Sequence, residues 1–182
     1  ITRLADFEPG RSNVLIMGQG PIGLMATALA KRAGVRRIFT TEVAAKPRRM
    51  ALSRQFGADV CFDPLASPVE SYDFGCDIDR ILVTAPPRTL EGAFKVAAKA
   101  AIISFIGIEY GDGAFVRFDA NAFHFKKLQL RASFASPALF GPLALQYLRE
   151  SVVDGEALIS HRFGLDDLAE AMAATHGPDA IK

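Results

Sequence analysis

The stretch from Asn13 to Gly34, NVLIMGQGPIGLMATALAKRAG, constrains the fold of this chain more than any other. The apolar run NVLIM breaks at Gly18, Gly20 and Gly23, then resumes as small and apolar residues with Pro21 at their head. Proline fits the first turn of a helix, where its missing N–H has no intrahelical partner anyway. Gly34 is placed to adopt the left-handed conformation that ends the helix near Ala33. The reading is a buried strand, a tight turn and a helix. In the spacing G-x-G-x-x-G each glycine has a task. Gly18 permits the turn, Gly20 lets backbone approach a pyrophosphate with no Cβ in the way, and Gly23 lets the helix pack closely on the strand. The helix start then presents free N–H groups and a partial positive charge to an anion.

The rest of the chain repeats this alternation. Strands are expected at Arg36–Glu42, Asp59–Phe62, Arg80–Ala85, Ala100–Ile108 and Leu128–Phe134. Helices are expected from Pro47 to Phe56, closed by Gly57, and over TLEGAFKVAAK, ALFGPLALQYLRES and DDLAEAMAAT. In the last, Asp167 and Glu170 have the spacing of a capping box. Between strands five and six, the alternation of Phe115 and Arg117 against Val116 and Phe118 predicts a short extended element with an apolar face. Six strands with helical crossovers predict an α/β fold: a Rossmann-type doubly wound parallel sheet of order 3-2-1-4-5-6 with C-terminal helices, formed as one domain over residues 1–182.

Composition excludes several classes. With 21 Lys and Arg against 20 Asp and Glu, there is no electrostatic case for nucleic acid or an acidic membrane surface as partner. No apolar stretch approaches the roughly 18 residues of a spanning helix, and the expected address is the cytoplasm. The only two cysteines, Cys61 and Cys76, lack C-x-x-C spacing and a neighbouring histidine cluster, so neither a disulfide framework nor a metal site is expected. His124, His161 and His176 are scattered, Asp77 and Asp79 flank a strand entrance, and Ser104 has no G-x-S-x-G elbow around it.

Glu42, nineteen residues past Gly23, ends the second strand. A carboxylate there accepts hydrogen bonds from both ribose hydroxyls of an adenosine and repels a 2′-phosphate, which favours NAD over NADP. The basic run Lys46, Arg48 and Arg49 reads either as a solvated helix face or as side chains flanking that ribose or its phosphate, and the second reading keeps NADP open.

The segments VLIMGQGPIGLMATALAKRAG, FGADVCFDP, AAIISFIGI, FHFKKLQLRASFAS and LISHRFGLDDLAEAM together resemble the cofactor-binding domain of the medium-chain zinc-dependent alcohol dehydrogenases, especially the polyol and threonine dehydrogenase branch. The resemblance covers nearly the whole chain. It implies hydride transfer between a small secondary alcohol or polyol and NAD. The turn Gly18, Gly20, Pro21, Ile22 and Gly23 would hold the pyrophosphate and Glu42 the ribose, with one of Lys46, Arg48 and Arg49 in the family's basic ribose-side position. Thr84 and Ala85 would lie beside the coenzyme, and Ile106, Gly107, Ile108, Ser133 and Phe134 would face the nicotinamide. In this family the zinc ligands and the proton relay belong to a separate, mostly N-terminal catalytic domain. The start at Ile1 and the end at AIK, which reads like the beginning of a strand, are expected for a cofactor domain cut from such an enzyme and inactive by itself. The family also implies a homodimer through Ala114 to Phe118. Two alternatives differ in what they require. A zinc-free, NADPH-dependent quinone or enoyl reductase would carry a small or neutral residue where Glu42 stands, and a stand-alone NAD-sensing module would be complete as it is.

Overall fold

The computed structural model describes residues 1–134 and 137–181. Six strands form one parallel sheet: β1 (Asn13–Met17), β2 (Arg37–Thr41), β3 (Val60–Phe62), β4 (Ile78–Val83), β5 (Ala97–Phe105) and β6 (Gln129–Ala132). Their order is β3-β2-β1-β4-β5-β6, every neighbouring pair parallel, as the alternation of apolar runs and helices predicts. The helices are α1 (Pro21–Arg32), α2 (Pro47–Gln55), α3 (Leu90–Val96), α4 (Ala120–Lys126), α5 (Pro137–Arg149), α6 (Gly155–Leu158) and α7 (Leu168–Ala174).

All five residues of β1 are buried, because a central parallel strand is covered on both faces. Side chains alternate between those faces. Leu15, Met17, Ile81, Val83 and Ile103 pack with Phe39, Leu90 and Ala93 on one side. Val14, Ile16, Ile38 and Leu82 pack with Ala26 and Ala30 of α1 and with Ala5 on the other. The alanines let α1 lie close to the sheet. Leu24 and Ala28 of α1 form a further cluster with Leu52, Phe56, Val153 and Ile181, which seats the C-terminal segment against α1 and α2.

Several expectations are corrected. The helix expected through Lys99 ends at Val96, and β5 starts at Ala97 and stops at Phe105. Its pairing with β4 jumps from Ile78↔Ala97 to Arg80↔Ile102, so an irregularity leaves Ala98 to Ala101 out of the paired register, with Ala100 at φ 64°. Alanine and lysine read as helix by propensity, but here the backbone pairs with β4 instead. No strand forms at 115–118. Gly111–Ala114 is a 3-10 turn, and α4 follows, capped by Asp119, whose carboxylate accepts from the N–H groups of Asn121 and Ala122. Asp167 does not cap α7 with its side chain. It closes the preceding 3-10 turn by accepting from Gly164 N at 3.2 Å. At the C-terminus, Ala180 and Ile181 are buried without forming a strand, and Lys182 lies outside the described residues.

Candidate functional site

The chain reverses direction across the sheet between β1 and β4, which opens a crevice at the carboxyl ends of these strands. The glycine turn stands at that point. Gly18 takes φ 91° and donates its N–H to Thr41 O at 3.0 Å. A Cβ on Gly23 would lie 1.9 Å from Gly18 O, so helix and turn touch at a distance only glycine allows. A Cβ on Gly20 would meet nothing within 4 Å, so this glycine faces open space. Gly20 is the N-cap of α1, Pro21 follows at the first helical position, and the first turn holds no acidic residue to neutralise the helix dipole. Ile22 is 42% exposed. The cradle thus has the shape and polarity to take a diphosphate.

Thr84 and Ala85 leave β4 by turning toward the end of β1. Both donate backbone N–H to Met17 O, at 2.9 and 3.0 Å, and the Thr84 hydroxyl lies 2.9 Å from Gly18 O. Ile106 N donates to Val83 O at 3.1 Å, and Ser133 N donates to Phe105 O at 2.9 Å. A Cβ on Gly107 would lie 2.4 Å from Ala85 O, so the exits of β4 and β5 pass in direct contact. Thr84, Ala85, Ile106, Gly107 and Ser133 therefore share one end of the sheet. Ile108 and Phe134 lie beyond it with their side chains exposed.

Glu42 is 9% exposed. Its Oε1 accepts from Val43 N at 2.9 Å and its Oε2 from Gln19 N at 3.0 Å. Each oxygen keeps a lone pair for a further donor. The basic run divides between two tasks. Arg49 sets Nη1 3.6 Å from Glu42 Oε2 and donates from Nε to Ala180 O at 2.9 Å. Arg48 donates to the carbonyls of Ile159 and Ser160, and Lys46 to that of Gly177 at 2.5 Å. Arg48 is thus engaged with the C-terminal segment, and among the described residues Arg49 is the base paired with Glu42.

Sequence reasoning missed Gln19 and Thr27, both fully buried beneath the turn, where the Thr27 hydroxyl donates to Gln19 Oε1 at 3.0 Å. A glutamine inside an apolar run was the available signal, because a buried amide requires partners. Among the described residues no three His, Cys, Asp or Glu side chains gather where they could hold a metal ion. No helix among them is long and apolar enough to cross a membrane.

The family model described as zinc-binding dehydrogenase matches residues 21–146. The L-threonine 3-dehydrogenase of Rhizobium rhizogenes is 28% identical over 185 residues, covering 97% of this chain and 51% of the relative. That of Deinococcus deserti is 28% identical, covering 93% of this chain and 49% of the relative. The chain therefore spans about half the length of the curated relatives it matches. Among solved structures, a short chain alcohol dehydrogenase from E. coli CFT073, complexed with NADH, superposes with a TM-score of 0.85 at 23% identity, over 96% of this chain and 51% of that one. A zinc-binding dehydrogenase from Sinorhizobium meliloti 1021, bound to NADP, does so with a TM-score of 0.83 at 22% identity, over 94% and 51%. The match over residues 21–146, on a sheet of order 3-2-1-4-5-6 with its glycine turn at the switch point, shows that the chain belongs to the zinc-binding dehydrogenase family.

Proposed function

We propose that the chain is the coenzyme-binding part of an NAD-dependent dehydrogenase acting on a small secondary alcohol or polyol. The observation that carries this reading is the juxtaposition of an open glycine cradle with the Glu42 carboxylate, whose Oε2 accepts from Gln19 N of the turn itself at 3.0 Å. When bound, the nicotinamide supplies the hydride acceptor. The residues of this chain bind and orient it. Gly20 leaves room for the pyrophosphate at the start of α1, Glu42 accepts from the ribose hydroxyls, and Arg49 moderates the carboxylate's charge from 3.6 Å away. The exits of β4, β5 and β6 at Thr84, Ala85, Ile106–Ile108 and Ser133–Phe134 form the nicotinamide side.

Relatives described as L-threonine 3-dehydrogenase and a fold neighbour described as L-idonate 5-dehydrogenase support a secondary-alcohol substrate. Fold neighbours are described with NADH and with NADP, so the family's fold accommodates either. Glu42 favours NAD, because a carboxylate repels a 2′-phosphate. The reacting groups and zinc ligands are assigned to a catalytic part outside these residues, so this chain alone binds coenzyme without turnover. The free thiols of Cys61 and Cys76 fit a reducing cytoplasmic address. Ala114 to Phe118 is proposed as a homodimer contact.

Fluorescence titration tests the coenzyme reading. NADH is expected to bind at least about tenfold more tightly than NADPH, a difference of about 1.4 kcal/mol. Glu42→Ala is expected to remove that preference. Equal affinities in the native chain, or a preference that survives Glu42→Ala, would refute the assignment.

A further inference from the structure

Gln19 fills the variable position between the first two glycines, and its side chain has no exposed surface. A buried carboxamide needs partners at both ends. Nε2 donates to Gly18 O at 3.0 Å, and Oε1 faces Thr27 Oγ1 at 3.0 Å, a hydroxyl whose single proton is shared with Gly23 O at 2.9 Å. Chemistry sets the amide's orientation, because a backbone carbonyl only accepts and the nitrogen must face it. Thr84 Oγ1 lies 2.9 Å from the same Gly18 oxygen, so two donors hold that carbonyl beneath the turn.

In a trans peptide the C=O and N–H point in opposite directions. With the Gly18 carbonyl held inward, the Gln19 N–H projects the other way, where it donates to Glu42 Oε2 at 3.0 Å. One peptide plane is thus held at both ends, by a buried polar pair on one side and by the candidate ribose carboxylate on the other. The pinning has work to do. Gly18 sits at φ 91°, and glycine populates both signs of φ readily, so the local backbone has little preference of its own. A flipped peptide would present its carbonyl oxygen to the carboxylate and drive Glu42 away.

We propose that Gln19 is a positioning residue for coenzyme discrimination. Its buried amide, braced by Thr27, holds the Gly18–Gln19 peptide so that the N–H fixes the Glu42 carboxylate for the ribose hydroxyls. This rests on the reading of Glu42 as the ribose partner.

Gln19→Met keeps the volume and removes both hydrogen bonds of the amide. Thr27→Val removes the brace together with the hydroxyl's contact to Gly23 O at 2.9 Å, and Thr27→Ser retains both. NADH and NADPH titrations of the 182-residue chain provide the readout. Gln19→Met is expected to weaken NADH about tenfold while NADPH changes by less than about twofold. Thr27→Val shifts the ratio in the same direction by a smaller factor, and Thr27→Ser restores it. In a Glu42→Ala background the Gln19→Met loss disappears, because the two residues act through one contact. A loss shared equally by both coenzymes, or one undiminished in Glu42→Ala, overturns the proposal as a merely structural effect. If Gln19→Met does not fold, the Thr27 pair decides by the same ratio. Native chain that binds neither coenzyme removes the coenzyme reading and this inference together. Native chain that prefers NADH, with an unchanged ratio in Gln19→Met and Thr27→Val, removes the inference alone.

Discussion

Gly20 and Gly23 stand three residues apart in one turn and are glycine for different reasons. At Gly23 the constraint is internal, because a methyl group would sit 1.9 Å from the backbone oxygen of Gly18. Gly23→Ala is therefore expected to cost roughly 3 kcal/mol, the upper range of overpacking, and to lower the melting temperature by about 5–10 °C. At Gly20 a methyl group meets nothing, and φ −66° with ψ −174° suits any residue. Gly20→Ala is expected to melt within about 2 °C of the native chain but to bind NADH at least about tenfold more weakly. Thermal unfolding and NADH titration of the two variants separate these causes, and a Gly20→Ala variant with native affinity would count against a pyrophosphate there. The motif spacing made all three glycines and Glu42 legible, because turn chemistry is local. The division of labour among Lys46, Arg48 and Arg49 was not legible. Their partners at Ile159, Ser160, Gly177 and Ala180 lie more than a hundred residues away, and no local pattern carries that information.

At the scale of elements, the strands buried on both faces were readable as continuous apolar runs, and their order followed from the alternation with helices. The errors fall where composition and pairing disagree. Ala97 to Ala100 has helical composition, yet Ala97 pairs with Ile78 and the next paired residue is Ile102. α4 hid behind its aromatics, although Asp119 is a good cap whose carboxylate serves two N–H groups. Ala100 carries a testable consequence. An alanine at φ 64° bears the left-handed steric penalty of roughly 1 kcal/mol, and glycine would relieve it at some cost in unfolded-state entropy. Ala100→Gly is expected to stabilise the chain by about 0.5 kcal/mol, raising the denaturant midpoint with an unchanged slope. A fall in the midpoint would mean that the irregularity is not held in this conformation in solution.

At the scale of the whole molecule, the N-terminal segment is tied to strands β4 and β6. Arg80 is nearly buried and joins Asp79 and Glu8, while Arg131 of β6 holds Asp6 and the carbonyl of Leu4. The hydrogen bond from Arg131 keeps the Asp6 carboxyl below its ordinary range. A depressed carboxyl contributes stability above its unfolded value of about 3.9 and loses it as pH falls through the lower folded value. Asp6→Asn should therefore unfold at lower urea than the native chain at pH 7, and the two midpoints should converge as pH falls through the lowered folded value; a gap that persists below it would assign the effect to packing. The remaining feature at this scale is uncovered apolar surface. Phe118 packs against Phe94 and Phe123 yet stays 53% exposed, and Phe115 is 80% exposed. Leu130 on the edge strand β6 is 42% exposed. Natural sheets cover or blunt such edges, and a two-fold partner covers the same patch on both copies at once. The proposed contact through Ala114 to Phe118 therefore predicts a dimer at tens of micromolar, read by sedimentation equilibrium. Phe115→Glu is expected to yield a monomer of 19.6 kDa with native melting behaviour, because the side chain it replaces is mostly in solvent. Phe118→Glu would be ambiguous, because it also breaks the contacts to Phe94 and Phe123. A native chain that sediments as a monomer, or a dimer that Phe115→Glu leaves intact, would move the contact away from this segment.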